Sequence, residues 1–97
     1  AVKIGDRDAA KILVVLGQKN PNWEKNKEVA ENLIAAADRI YPGLFFNKIR
    51  YASQARYNQH LTAGALLLEV GSQLNTYEEA MNSVKPLAEV LKEYLKR

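Results

Sequence analysis

The 97-residue chain contains no cysteine and a single histidine, His60. The first absence rules out disulfide scaffolds, thiolate zinc sites and cysteine nucleophiles. The second means that a zinc site built from two or three imidazoles cannot be completed by this chain alone. Long apolar runs are also missing. None exceeds five residues, the length of Ile12 to Leu16, against the ~20 that a membrane-spanning helix needs. Charge of one sign is in small excess, with 14 Lys and Arg against 11 Asp and Glu and a net charge of +3. It is spread along the chain, so it weakly favours an acidic partner and identifies none. No glycine-rich phosphate loop or nucleic-acid motif is present, and the Lys48, Arg50 and Arg56 group is too small to indicate a nucleic-acid binder; no nucleic-acid partner is expected.

What is present is an ordinary globular composition, 47% hydrophobic and 26% charged, enough for one modest core. The run Ala10 to Leu16 reads as a strand buried on both faces and closed by Gly17. Asn20 or Asn22 can cap a helix starting at Pro21 or Trp23. That helix carries Val29, Ala30, Leu33, Ile34, Ala37, Ile40 and Tyr41 on one stripe, and Pro42-Gly43 ends it. Leu44 to Ile49 is a short apolar run of undetermined type. Arg50 to Gly64 reads as a polar loop or short helix. Ala65 to Val70 is the second strong strand, ending at Gly71. Thr76 to Glu79 forms a capping box for a final helix starting at Tyr77. Its expected core stripe is Ala80, Met81, Val84, Leu87, Ala88, Leu91, Tyr94 and Leu95, with a kink or restart near Lys85 caused by Pro86. Arg7-Asp8 is read as a turn before the first strand. The order strand, helix, short strand, strand, helix indicates an α/β fold, mostly parallel, and two strong strands are few for such a sheet. Residues 1–97 are therefore expected to be a single, partial domain.

In open parallel sheets ligands bind beyond the carboxyl ends of the strands. Glu69 stands out there, a carboxylate directly after three leucines. Two readings remain open from spacing: a solvated or ion-paired strand end, which is the commoner case, and a catalytic carboxylate. Arg56, Tyr57, Asn58, Gln59 and His60 place several donors and acceptors within five residues, suited either to gripping a polar polymer or to a plain surface loop. Trp23 reads as a core or rim anchor.

Five ordered motifs carry a family resemblance: Ala10 to Gly17; Asn20-Pro21-Asn22-Trp23 with Asn26; Tyr41 to Leu44; Arg56 to Leu61; and Leu66 to Ser72 with Asn75-Thr76 and Glu78 to Ala80. Together they resemble the C-terminal region of the stage II sporulation protein P family, through nearly the whole chain. The resemblance implies the C-terminal portion of a three-layer, sheet-and-helix, zinc-dependent N-acetylmuramoyl-L-alanine amidase domain that hydrolyses peptidoglycan during spore engulfment. It implies Glu69 as the proton-transfer residue, Arg56, Tyr57, Asn58 and Gln59 lining the cleft, and Asn22, Asn26 and Asn75 shaping its rim. Zinc is expected in the full-length enzyme, with ligands upstream of Ala1, and none on this chain, which is expected to be inactive alone. The implied partners are peptidoglycan and sporulation membrane proteins. The implied location is extracytoplasmic, with the membrane anchor in the parent protein and none in this chain. A non-catalytic cell-wall or protein-interaction module is the alternative. Self-association through an exposed sheet edge and apolar face is also expected.

Overall fold

A computed structural model of the chain describes residues 2–19, 21, 23–53, 67–71 and 75–95. The chain opens with a hairpin, β1 (Val2–Ile4) and β2 (Arg7–Ala9), paired antiparallel. The turn falls at Gly5-Asp6, where Gly5 takes φ +65°, a left-handed conformation that glycine adopts without the clash a Cβ brings. Arg7-Asp8 is accordingly strand, and the expected turn lies two residues earlier. Lys3 and Asp8, facing each other in register, form an ion pair of 2.9 Å.

The main sheet is built from β3 (Ile12–Gly17), β4 (Phe45–Ala52) and β5 (Leu67–Val70) in the order β4-β3-β5. The undetermined run Leu44 to Ile49 is therefore mostly strand, as is the start of the stretch read as a polar loop, Arg50 to Ala52. Ser53 is a turn residue, and the rest of that loop, together with Ala65 and Leu66, lies outside the described residues. β4 pairs with β3 in parallel and β5 pairs with it antiparallel. The expectation of a mostly parallel sheet thus gives way to a mixed one. The reversal matters for placement, because Glu69 pairs with Leu13 and Val70 with Ile12. The carboxyl end of β5 therefore lies beside the start of β3.

Helix α1 (Trp23–Ile40) follows β3 with most of the expected stripe inward, burying Ala30, Leu33 and Ala37 together with Ala36, while Ile40 of the last turn is exposed. It stops where Pro42-Gly43 stops it, with Gly43 at φ +85° and the Leu44 N–H donating to the Tyr41 carbonyl. The two residues proposed as its cap, Asn20 and Asn22, lie outside the described residues. Helix α2 (Tyr77–Leu95) begins at the capping box, where the Glu79 N–H donates to Thr76 Oγ1 at 3.0 Å and the Thr76 N–H donates to Glu79 Oε1 at 2.8 Å. Pro86 does not break α2, which runs through it as one helix with the proline buried.

The core joins Ile12 and Val14 of β3, Ala30, Leu33 and Ala37 of α1, Leu44, Phe45 and Val90 of α2. Ile12 and Val14 share one face of β3 by strand alternation, and both helices meet that face. Among the described residues the arrangement is therefore two layers, a sheet with both helices on one side.

The face that α2 turns inward also differs from the expected one. Ser83, Pro86 and Val90 are buried and Leu87, Leu91 and Tyr94 pack against the core. Met81, Val84, Ala88 and Leu95, expected inside, are exposed. The cause is a set of polar ties to the N-terminal residues. Ser83 Oγ donates to the Ala10 carbonyl, Asn82 Nδ2 donates to the Asp8 carbonyl at 2.8 Å, and the Ala10 N–H donates to the Glu79 carbonyl at 2.8 Å. Ala10 is fully buried, so its backbone groups must find partners, and they take them from the Ser83 side of the helix.

Candidate functional site

Glu69 sits one residue from the end of β5. Its neighbour Leu68 packs against the core, so alternation turns Glu69 to the opposite face. On β4, Ile49 packs inward and Arg50 turns outward by the same rule. The two side chains meet across β3, with Arg50 Nη2 donating to Glu69 Oε2 at 2.7 Å. The carboxylate is 38% exposed and the guanidinium 57%, and pairs this open contribute about 0 to 1 kcal/mol. On geometry, Glu69 is an ion-paired residue at a strand end. Of the Lys48, Arg50 and Arg56 group, Arg50 takes a carboxylate of the chain itself as its partner. Nothing in the sequence signalled the pairing, because it depends on the register of two strands that are both neighbours of β3. Near the start of β3, Lys11 Nζ stands 4.9 Å from the centre of the Phe46 ring, within the range of a cation–π contact.

The other expected site residues fall at two ends of the sheet. Asn75 lies with Glu69 at the Ile12 end. Its Nδ2 donates to Glu79 Oε1 at 3.4 Å, and its Oδ1 lies 3.3 Å from where a Cβ on Gly71 would stand. It thereby joins the exit of β5 to the cap of α2. The capping hydrogen bonds hold the Glu79 carboxyl below its ordinary range, the Thr76 N–H contributing most and the Asn75 amide next. Asn26 is fully buried in α1, which starts beyond the opposite, Gly17 end of β3. Trp23, at the start of that helix, meets Tyr51 of β4 edge to face, with ring centres 6.5 Å apart. This is the rim anchor its position suggested. Arg56, Tyr57, Asn58, Gln59, His60 and Asn22 lie outside the described residues.

Two open grooves flank the helices. One of about 430 Å³ runs between α1 and β4, lined by Glu31, Ile34, Asp38, Lys48 and Tyr51 among others. The other, about 600 Å³, lies where the hairpin meets the start of α2 and is lined by Asp6, Arg7, Asp8, Glu78 and Glu79 with Thr76 and Asn82. Glu69 lines neither. Among the described residues no group of three or more His, Asp or Glu is gathered as a metal site requires. The described part of the chain therefore does not fit a catalytic zinc. Among the same residues no helix is long and apolar enough to cross a membrane.

Fold and site together define a small mixed α/β unit in which the strand-end carboxylate Glu69 is ion-paired with Arg50. Comparison with known proteins then gives the family. The chain matches the family model described as Stage II sporulation protein P over residues 1–92. It is 36% identical over 93 residues to Stage II sporulation protein P of Bacillus subtilis (strain 168). The chain belongs to the Stage II sporulation protein P family. That match covers 93% of this chain and 23% of the Bacillus subtilis protein, so the chain spans less than a quarter of that relative's length. No solved structure matches it.

Proposed function

We propose that this chain is the C-terminal part of a sporulation peptidoglycan hydrolase that, in the full-length protein, cleaves the N-acetylmuramoyl-L-alanine amide during engulfment. The observation that carries the reading is the family match running through residues 1–92. Within it, Glu69 is the residue proposed to move the proton in amide hydrolysis. Arg56, Tyr57, Asn58 and Gln59 are proposed to line the substrate cleft, with Asn22, Asn26 and Asn75 at its rim. Zinc is the cofactor proposed for the full-length enzyme, with ligands outside the described residues; the isolated chain is proposed to bind none and to be inactive. The proposed setting is extracytoplasmic, on a membrane-anchored parent, with peptidoglycan as substrate and sporulation membrane proteins as partners.

For Glu69 to handle a proton, its carboxylate must be reachable beside the Arg50 contact, and its partial exposure supports this. The test is Glu69→Gln in the full-length enzyme. The variant is expected to keep its zinc content and to lose release of stem peptides from purified peptidoglycan. Wild-type turnover in that variant would remove Glu69 from the chemistry.

A second reading, a non-catalytic cell-wall or protein-interaction module, is favoured by the Arg50–Glu69 ion pair, which gives the carboxylate a structural partner. It predicts that Glu69→Gln leaves sacculus binding and any parental hydrolysis unchanged.

A further inference from the structure

Helix α2 carries more apolar surface than the fold uses. Tyr77, Met81, Val84, Ala88, Leu91 and Leu95 follow one another at alternating steps of four and three residues along the whole helix. That is the a/d spacing of a coiled-coil seam. Only Leu91 is packed on the core. Tyr77 is 81% exposed, Met81 and Val84 49% each and Leu95 78%. At 100° per residue the five exposed positions fall within about 60° of arc, a straight ribbon roughly 27 Å long. It points away from the Ser83, Pro86 and Val90 face that the sheet covers.

We infer that this ribbon is an interface for a second copy of the chain, the two α2 helices packing antiparallel about a twofold axis near residue 86. The seam is complementary to its own reverse. In that register Tyr77 lies against Leu95 of the second copy, Met81 against Leu91 and Val84 against Ala88, so every layer of the seam joins two apolar side chains and the smallest pair falls beside the twofold axis. The flanking charges agree. Glu78 and Lys92, beside the two ends of the seam, come opposite one another twice, and only Lys85 meets its own copy, at the exposed margin. A parallel pairing would instead set Lys85 and Lys92 against the apolar Ala80 and Leu87, with no opposite charge to meet them. Isologous contacts of this kind close at two subunits. The inference places the expected self-association on a helix face rather than on a strand edge, and it does not depend on the hydrolase reading.

Sedimentation equilibrium of the 97-residue chain across a wide concentration range tests it. A monomer–dimer equilibrium is expected, and Met81→Glu should weaken it at least about tenfold, the effect of roughly 1.4 kcal/mol lost at the interface. Met81 is exposed in the single chain, so at concentrations where both proteins are monomeric the thermal transition of the variant should stay close to wild type. The charge pair gives an independent arm. Lys92→Glu should weaken the dimer, and adding Glu78→Lys should restore it. The absence of native cysteine permits a register test. A mixture of Tyr77→Cys and Leu95→Cys should cross-link between the two variants on oxidation, with little cross-linking of Tyr77→Cys to itself. A monomer at every concentration, a dimer indifferent to Met81→Glu, or self-cross-linking of Tyr77→Cys would each overturn the inference.

Discussion

Removing the threonine of the α2 cap offers a defined test of how this helix is held. Thr76→Ala deletes the oxygen that accepts from the Glu79 N–H at 3.0 Å. It leaves the reciprocal bond, from the Thr76 N–H to Glu79 Oε1 at 2.8 Å, in place. Loss of such a cap costs about 1 kcal/mol, within a range of roughly 0.5 to 2. For a chain of this size that lowers the melting temperature by about 4 to 8 °C. Glu79→Gln removes the charge but keeps an acceptor oxygen, so its effect should be smaller at neutral pH. It should also carry a pH signature that Thr76→Ala lacks. The folded Glu79 carboxyl titrates below its unfolded value, so its contribution is complete above the unfolded value and disappears as the pH falls through the folded one. Thermal melts followed by circular dichroism from neutral to acid pH read both effects. Wild type and Glu79→Gln should converge on the acid side of the usual glutamate range, while the deficit of Thr76→Ala persists. Because the two residues bond each other in one capping box, the double variant should depart from additivity, the two losses being coupled rather than independent. A Thr76→Ala melt superimposable on wild type, or a wild-type to Glu79→Gln difference constant with pH, would refute the capping account.

Gly71→Ala should destabilise by about 1 to 3 kcal/mol, since φ +78° alone costs a Cβ-bearing residue roughly 1 to 2 kcal/mol and the new Cβ would stand 3.1 Å from the Ala10 Cβ. Gly5→Ala, also at positive φ but with nothing within 4 Å, should show the conformational part alone, so equal urea midpoints for the two variants would contradict the close contact at Ala10. Tyr41 donates its hydroxyl to Glu89 Oε2, and that bond, with burial and the nearby negative charge, raises the phenol above its ordinary value. Its share of the stability should be intact below the unfolded tyrosine pKa and fall away as the pH rises through the higher folded one. Tyr41→Phe should flatten that alkaline loss, and an unchanged alkaline limb in urea titrations would count against it.

The elements legible in the sequence were those specified locally. α1 has a dense stripe and a Pro-Gly stop, β3 is a β-branched run closed by glycine, and the cap of α2 is written in Thr76 and Glu79. What was not legible depends on distant partners. The direction of β5 follows from how the chain between Ala52 and Leu67 returns, and no residue in β5 itself encodes it. Glu69 stood out as a carboxylate after leucines, but its partner Arg50 could be found only once β4 and β5 were known to flank the same strand. The inward face of α2 was misjudged because hydrophobicity favours Met81, Val84 and Ala88, whereas Ser83 wins its place through the Ala10 carbonyl. The hairpin does carry a local signal, since Gly5-Asp6 between short strands is turn chemistry.

The ties that rotate α2 also bear on when the chain can fold. Gly71 donates to the Lys11 carbonyl, Glu79 accepts from Ala10, and Ser83 and Asn82 donate to Ala10 and Asp8. Residues 8–11 are thus stitched to residues 71–83, across most of the chain's length. Closing so long a loop is entropically slow relative to local structure. While the polypeptide is still being made, α1 can form early, yet the backbone groups of Ala10 stay open to water until Ser83 has emerged. Completion of the fold is a late, nearly all-or-none event in which the last helix seals the first strand.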